Sequence, residues 1–172
     1  QMTKVFGVVG WSGSGKTDLT TRIVNFFVKK KILISTIKHT HHDFEIDKKG
    51  KDSFKHIESG ANEVILYNEK KWSLISNFQK KSVSIHSIIK KFDRKTEIVI
   101  IEGLKYSDFP KIEVIRTSLK KPLIFPKDKN IKCIVADQKT SELSNTKLPI
   151  IDFYQTEKIG DFIMEYFDNA KI

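Results

Sequence analysis

Gly10-Trp11-Ser12-Gly13-Ser14-Gly15-Lys16-Thr17 satisfies the pattern G-x-x-x-x-G-K-[ST] at each fixed position. An apolar run, Val5-Phe6-Gly7-Val8-Val9, leads into it. A helical pattern leaves it, with Leu19, Ile23, Phe26 and Phe27 on one stripe. Strand, glycine-rich turn and helix in that order make a cradle for phosphate. The glycines let the backbone curl so that successive N–H groups point inward, and the start of the helix adds its positive dipole end. Gly10, Ser12, Gly13, Ser14, Gly15, Lys16, Thr17 and Asp18 are therefore expected to line the phosphates of a nucleotide. Lys16 is expected to reach the β- and γ-phosphates and to act in catalysis there, and the Thr17 hydroxyl to ligate Mg²⁺.

Working outward, 172 residues suit one core. The chain reads as a single P-loop nucleotide-binding domain over 1–172, with Gln1 before Met2 a remnant of cloning. No apolar run reaches the length of a membrane span and no signal-peptide pattern opens the chain. The lone Cys133 sits in Ile131-Lys132-Cys133-Ile134-Val135, where it is expected in the core. It has no partner for a disulfide within the chain, which points to a reducing compartment and a cytoplasmic protein. The formal net charge is +10, carried by 28 lysines and only three arginines spread along the whole chain. Arginine dominates base contacts and forked phosphate contacts, so nucleic acid is not expected as a partner. A positive field that draws in anionic ligands such as nucleotides is.

The periodicities predict a strand over Lys4–Val9, a helix over Lys16–Lys30 and a strand over Ile32–Ile37. A polar loop then runs from Lys38 to Asp52, and a short helix from Ser53 to Glu58 stops at Gly60. Glu63–Tyr67 and Trp72–Ser76 flank a four-residue loop and read as a β-hairpin. A helix follows near Ser84–Lys91. Glu97-Ile98-Val99-Ile100-Ile101 is nearly continuous in apolar residues, as in a parallel strand buried on both faces. Strands are also expected at Lys111–Arg116, Ile131–Ala136 and Leu148–Ile151. A last helix has Ile159, Phe162, Ile163, Tyr166 and Phe167 on its apolar face. The fold class is α/β, of P-loop NTPase type: a mostly parallel sheet flanked by helices on both faces, with an inserted β-hairpin.

Ligands bind beyond the carboxyl ends of the strands in such sheets. Glu102 sits there, expected to act on the metal and in catalysis, and Gly103 would let the backbone approach a γ-phosphate. Lys105 could neutralise charge nearby or be a solvated surface lysine. After the second strand comes Lys38-His39-Thr40-His41-His42-Asp43-Phe44-Glu45-Ile46-Asp47. Lys38, His39, His41, His42, Asp43 and Asp47, with Lys51 further on, are candidates for a second functional loop. Such a cluster could form a transition-metal site, bind Mg²⁺-phosphate or a second anion, or move as a switch that reports the γ-phosphate. A polar loop with surface histidines is the plain alternative. No Asn-Lys-x-Asp segment reads the base; Asp137 could accept from a guanine amino group or simply end a strand. Arg22 falls in the first helix, and Arg94 and Arg116 have no motif context.

Taken together, these segments resemble the MobB family, proteins of molybdopterin-guanine dinucleotide biosynthesis. The resemblance rests on Gly10 to Thr17, Ile37 to Phe44, Asp47, Gly50 to Ser53, Ser59 to Ala61, Glu102 to Lys105 and Pro110 to Val114. It implies a P-loop fold, GTP as the preferred nucleotide with Mg²⁺, and slow hydrolysis. It also implies a homodimer and an adapter role beside the MobA guanylyltransferase, which attaches GMP to molybdopterin. Leu104 departs from the usual phenylalanine and Asp18 from a common threonine; neither removes a phosphate or metal ligand. The runners-up are a P-loop small-molecule kinase and a metal-insertion GTPase whose histidine loop hands over Ni²⁺ or Zn²⁺.

Overall fold

The carboxyl end of one central strand decides where a ligand can sit, and that strand is β1 (Lys4–Val9). In the computed structural model, which describes residues 3–40, 46, 49–76 and 83–170, the elements follow in this order. After β1 come α1 (Lys16–Lys29), β2 (Ile34–Lys38), α2 (Asp52–Glu58), β3 (Glu63–Tyr67), β4 (Trp72–Ser76) and α3 (Ile85–Ile89). Then follow β5 (Ile98–Glu102), β6 (Lys111–Ile115), β7 (Ile131–Ala136), α4 (Ser141–Ser144), β8 (Ile150–Asp152) and α5 (Thr156–Asn169). They pack as two units, one of Gln1–His39 with Phe92–Ile172 and one of Thr40–Lys91.

The first unit is a six-stranded parallel sheet in the order β2-β5-β1-β6-β7-β8. Side chains alternate between its faces. Phe6 and Val8, Ile98 and Ile100, Ile112 and Val114, and Cys133 and Val135 turn to one face. There Leu19, Ile23, Phe26 and Phe27 of α1 and Ile159 and Ile163 of α5 complete the main core. On the opposite face Ile134 and Ala136 pack with Leu143 of α4, while Val9 and Ile131 pack with Ile124. Helices thus stand on both faces, unequally: two of 14 residues on one, and on the other the four-residue α4 with a 3₁₀ turn at Phe125–Lys127. All five residues of β5 are buried, as a strand covered on both faces requires. Burial pushes the Cys133 thiol up to about 12, in keeping with its place in that core.

The element ends shift by a residue or two from the periodicity. The first helix stops at Lys29 because Lys31 turns left-handed (φ 60°), its N–H bonding back to Val28 O. The second strand accordingly begins only at Ile34. The contact of α1 with α5 depends on Gly160, where a Cβ would overlap the Phe26 ring. Alanine gains about 1 kcal/mol of helix propensity, but overpacking costs about 1–3 kcal/mol, and Phe26 has little room to yield at 3 % exposure. Gly160→Ala is expected to lower the urea midpoint with an unchanged m-value; a raised midpoint would show that the ring has room to move.

In the second unit β3 and β4 pair antiparallel from Glu63↔Ser76 to Tyr67↔Trp72. Asn68 Oδ1 accepts from the N–H groups of Lys70 and Lys71 and sets the turn between them. Ile65, Tyr67 and Trp72 are exposed on this hairpin. Among the described residues no helix is long and apolar enough to cross a membrane.

Candidate functional site

Register brings the two carboxyl-end motifs together. β1 lies between β5 and β6, and Val8 stands opposite Glu102, so the loop after β1 and the turn after β5 leave the sheet side by side. In that loop Gly13 (φ 79°) and Gly15 (φ 96°) hold left-handed conformations that favour glycine. Space restricts the loop as well. A Cβ on Gly10 would lie 2.6 Å from Val114 O, and one on Gly15 would lie 2.8 Å from the Phe153 ring. Ser14 is buried, and its Oγ has no hydrogen-bond partner among the described residues.

Lys16 Nζ donates to Trp11 O at 2.8 Å, folding back over its own loop. Burial lowers the pKa of its ammonium; the Glu102 carboxylate works against that shift, and Lys105 and Lys38 add to it. Thr17 Oγ1 donates to Glu102 Oε1 at 2.6 Å, and Lys38 Nζ lies 3.8 Å from the same oxygen. Gly103 (φ 96°) donates its N–H to Val8 O at 2.9 Å. Leu104 is also left-handed, at φ 60°. Lys105 Nζ stands 3.8 Å from the centroid of the Trp11 ring, whose Nε1 donates to Pro122 O.

Most of the residues predicted from sequence meet here, and some do not. Gly10 to Thr17, Glu102, Gly103, Lys38 and Lys105 form one cluster. His39 joins it through its backbone, its N–H donating to Glu102 O at 2.9 Å. Asp18 instead turns its carboxylate to Arg22 Nε at 3.0 Å. His41, His42, Asp43 and Asp47 lie outside the described residues. Lys51 caps α2 in the other unit, where it is exposed.

Three groups beside the loop were not among the site residues expected from the sequence. Lys111, fully buried at the start of β6, donates to Lys105 O, Ser107 O and Asp128 Oδ2, and so ties down the turn that carries Lys105. Arg116, just past β6, and Phe153, just past β8, both approach Gly15. A charged residue directly after the apolar run of β6 is the signal that could have found Arg116.

Chemically, the cluster combines a glycine-rich loop at the start of a helix, three ammonium groups and a hydroxyl–carboxylate pair. Those are the parts needed for a polyanion carrying a hard divalent cation. Thr17 and Glu102 supply oxygen donors, which suit Mg²⁺, and the orphaned Ser14 hydroxyl leaves a donor for a phosphate oxygen.

The family model described as "Molybdopterin guanine dinucleotide synthesis protein B" matches residues 5–137. The chain belongs to the MobB family. It is 34 % identical over 171 residues to the molybdopterin-guanine dinucleotide biosynthesis adapter protein of Haemophilus influenzae, covering 97 % of this chain and 93 % of that one. It is 26 % identical to the Escherichia coli protein of the same description, covering 96 % and 94 %. In fold, this MobB-family chain superposes on the crystal structure of Bacillus subtilis MobB with a TM-score of 0.71 at 21 % identity, over 94 % of this chain and 96 % of that one. The P-loop NTPase-like sheet read from the sequence is the fold of that structure.

Proposed function

We propose that this MobB-family chain is an adapter in molybdopterin-guanine dinucleotide biosynthesis that binds GTP with Mg²⁺ and hydrolyses it slowly. The observation that carries the reading is the Thr17–Glu102 pair at 2.6 Å on the Gly10–Thr17 loop. The loop's N–H groups and Lys16 hold the phosphates, and the hydroxyl and carboxylate hold the cation. Mg²⁺ bound there would neutralise charge on the β- and γ-phosphates. Lys16 and Lys105 add positive charge toward the γ-phosphate side, and Glu102 orients water.

Turnover alone is expected to be slow, well below about 1 s⁻¹. No motif places an arginine finger on the γ-phosphate, and Arg22 of α1 is committed, donating to Asp18, Thr156 and Phe153 O. The partner proposed is a MobA-type guanylyltransferase. The exposed Ile65, Tyr67 and Trp72 of a two-stranded hairpin favour a homodimer, because an isolated hairpin is at best marginally stable.

Thr17→Ala tests the cation half of this reading. In the wild type, Mg²⁺ should strengthen GTP binding by about 10-fold or more; in the variant that enhancement should disappear while metal-free binding persists. Equal Mg²⁺ enhancement in both proteins would sink the assignment.

A further inference from the structure

We propose that Arg116 reads the edge of a guanine base and that Tyr154 carries the base on its ring. The inference rests on the nucleotide reading above and gives it a base seat of a chemistry the sequence does not announce.

The argument starts at Gly15. The Phe153 ring packs against its Cα so closely that a Cβ would lie 2.8 Å from it, which fixes the end of β8 beside the phosphate cradle. Phe153 is itself buried, at 4 % exposure, and cannot stack on a ligand. The next residue can. Tyr154 is 72 % exposed, its ring centroid 5.2 Å from that of Phe153 and edge-on to it. An exposed aromatic ring one residue past the strand end, next to the phosphate site, is placed to take the face of a base.

Arg116 arrives from the neighbouring strand end. Its guanidinium lies 6.0 Å from the Phe153 centroid, and Nη2 is 3.5 Å from the position of a Gly15 Cβ. Its Nε is buried without a hydrogen-bond partner, and no carboxylate of the described residues forms an ion pair with it. Arg22, whose guanidinium lies 4.6 Å from the centroid of the same ring, donates to Asp18, Thr156 and Phe153 O. A guanidinium with a donor to spare, beside a phosphate loop, is a group awaiting an acceptor.

Asp137 spends one of its two carboxylate oxygens on the protein. Its Oδ1 accepts both the N–H (2.9 Å) and the hydroxyl (3.1 Å) of Thr117, so it braces the turn that follows Arg116. The O6 and N7 edge of guanine calls for donors, which a carboxylate lacks and the guanidinium of Arg116 has. Its fork matches the adjacent O6 and N7 acceptors of guanine, whereas adenine presents an amino donor at the O6 position. The expected consequence is GTP over ATP without an Asn-Lys-x-Asp segment.

The test titrates GTP, ATP and 7-deaza-GTP, each with Mg²⁺, into nucleotide-free wild type and the variants Arg116→Met, Arg116→Lys and Tyr154→Ala. Arg116→Met should weaken GTP by about 10- to 100-fold and leave ATP within about 2-fold. Arg116→Lys keeps the charge but loses the fork, and should lose the preference as well; it carries the test if the methionine variant does not fold. The wild type should bind 7-deaza-GTP more weakly than GTP, and Arg116→Met should bind the two alike. Tyr154→Ala should weaken GTP and ATP together by about 10-fold. A wild type that prefers GTP alongside arginine variants that keep the preference, or that lose GTP and ATP equally, would overturn this inference alone. A wild type that binds neither nucleotide, or ATP as well as GTP, would overturn the reading beneath it too.

Discussion

Lys16→Ala is expected to lower the affinity for GTP–Mg²⁺ by about 10²- to 10³-fold, the scale of removing one partner from a desolvated charge pair. In the free protein the ammonium spends one donor on Trp11 O at 2.8 Å, which leaves two for phosphate oxygens. Burial already disfavours its charge, and Lys38 and Lys105 add to that. The phosphates would reverse this, because they favour the charged form. The sign of the pH dependence follows. Below the lowered pKa the ammonium is present and binding is full. As pH rises through it, and before the 10.5 of an ordinary lysine, the protein must take up a proton to bind, so affinity falls. Calorimetry across that range should show this decline in the wild type and not in Lys16→Ala. An alanine variant that binds within a few-fold of wild type would remove Lys16 from the site.

The second large effect is on stability. Lys111→Met should destabilise the fold by about 3–5 kcal/mol, the usual cost of breaking a buried ion pair from one side. Lys111 Nζ and Asp128 Oδ2 are 2.9 Å apart with side chains 0 % and 8 % exposed. Methionine fills the volume but leaves the Asp128 carboxylate and the carbonyls of Lys105 and Ser107 without their donor. Adding Asp128→Asn removes the stranded charge and should restore part of the loss; the new amide oxygen can still accept from Asn130 N–H. Denaturant midpoints of the single and double variants decide it. A single-variant loss below about 1 kcal/mol would mean that water replaces the ammonium.

The fold was legible because its signals are local. A strand, a phosphate loop and a helix are contiguous at the start of the chain, and the all-apolar Ile98-Val99-Ile100-Ile101 marks a strand buried on both faces. Thr17 and Glu102 were expected at one cation because ligands gather beyond the carboxyl ends of parallel strands; their direct hydrogen bond was not read from the sequence. Lys111 was not legible. A lysine opening a strand reads as solvated, and only the carbonyls of a turn folded over it show that it is buried. Arg116 and Phe153 were hidden differently. Their role comes from β6 and β8 ending near Gly15, and strand order in a parallel sheet is set by crossovers that local periodicity does not encode. The helix ends moved for a smaller cause, the left-handed Lys31, a conformation that a lysine does not advertise.

The most direct measurement is calorimetric titration of GTP and of ATP, with and without Mg²⁺, into the full chain stripped of nucleotide. Saturable GTP binding that Mg²⁺ strengthens, with GTP clearly ahead of ATP, is the predicted result. Absence of GTP binding, or binding indifferent to Mg²⁺ with ATP equal or ahead, would contradict a Mg²⁺-GTP site built on Lys16, Thr17 and Glu102.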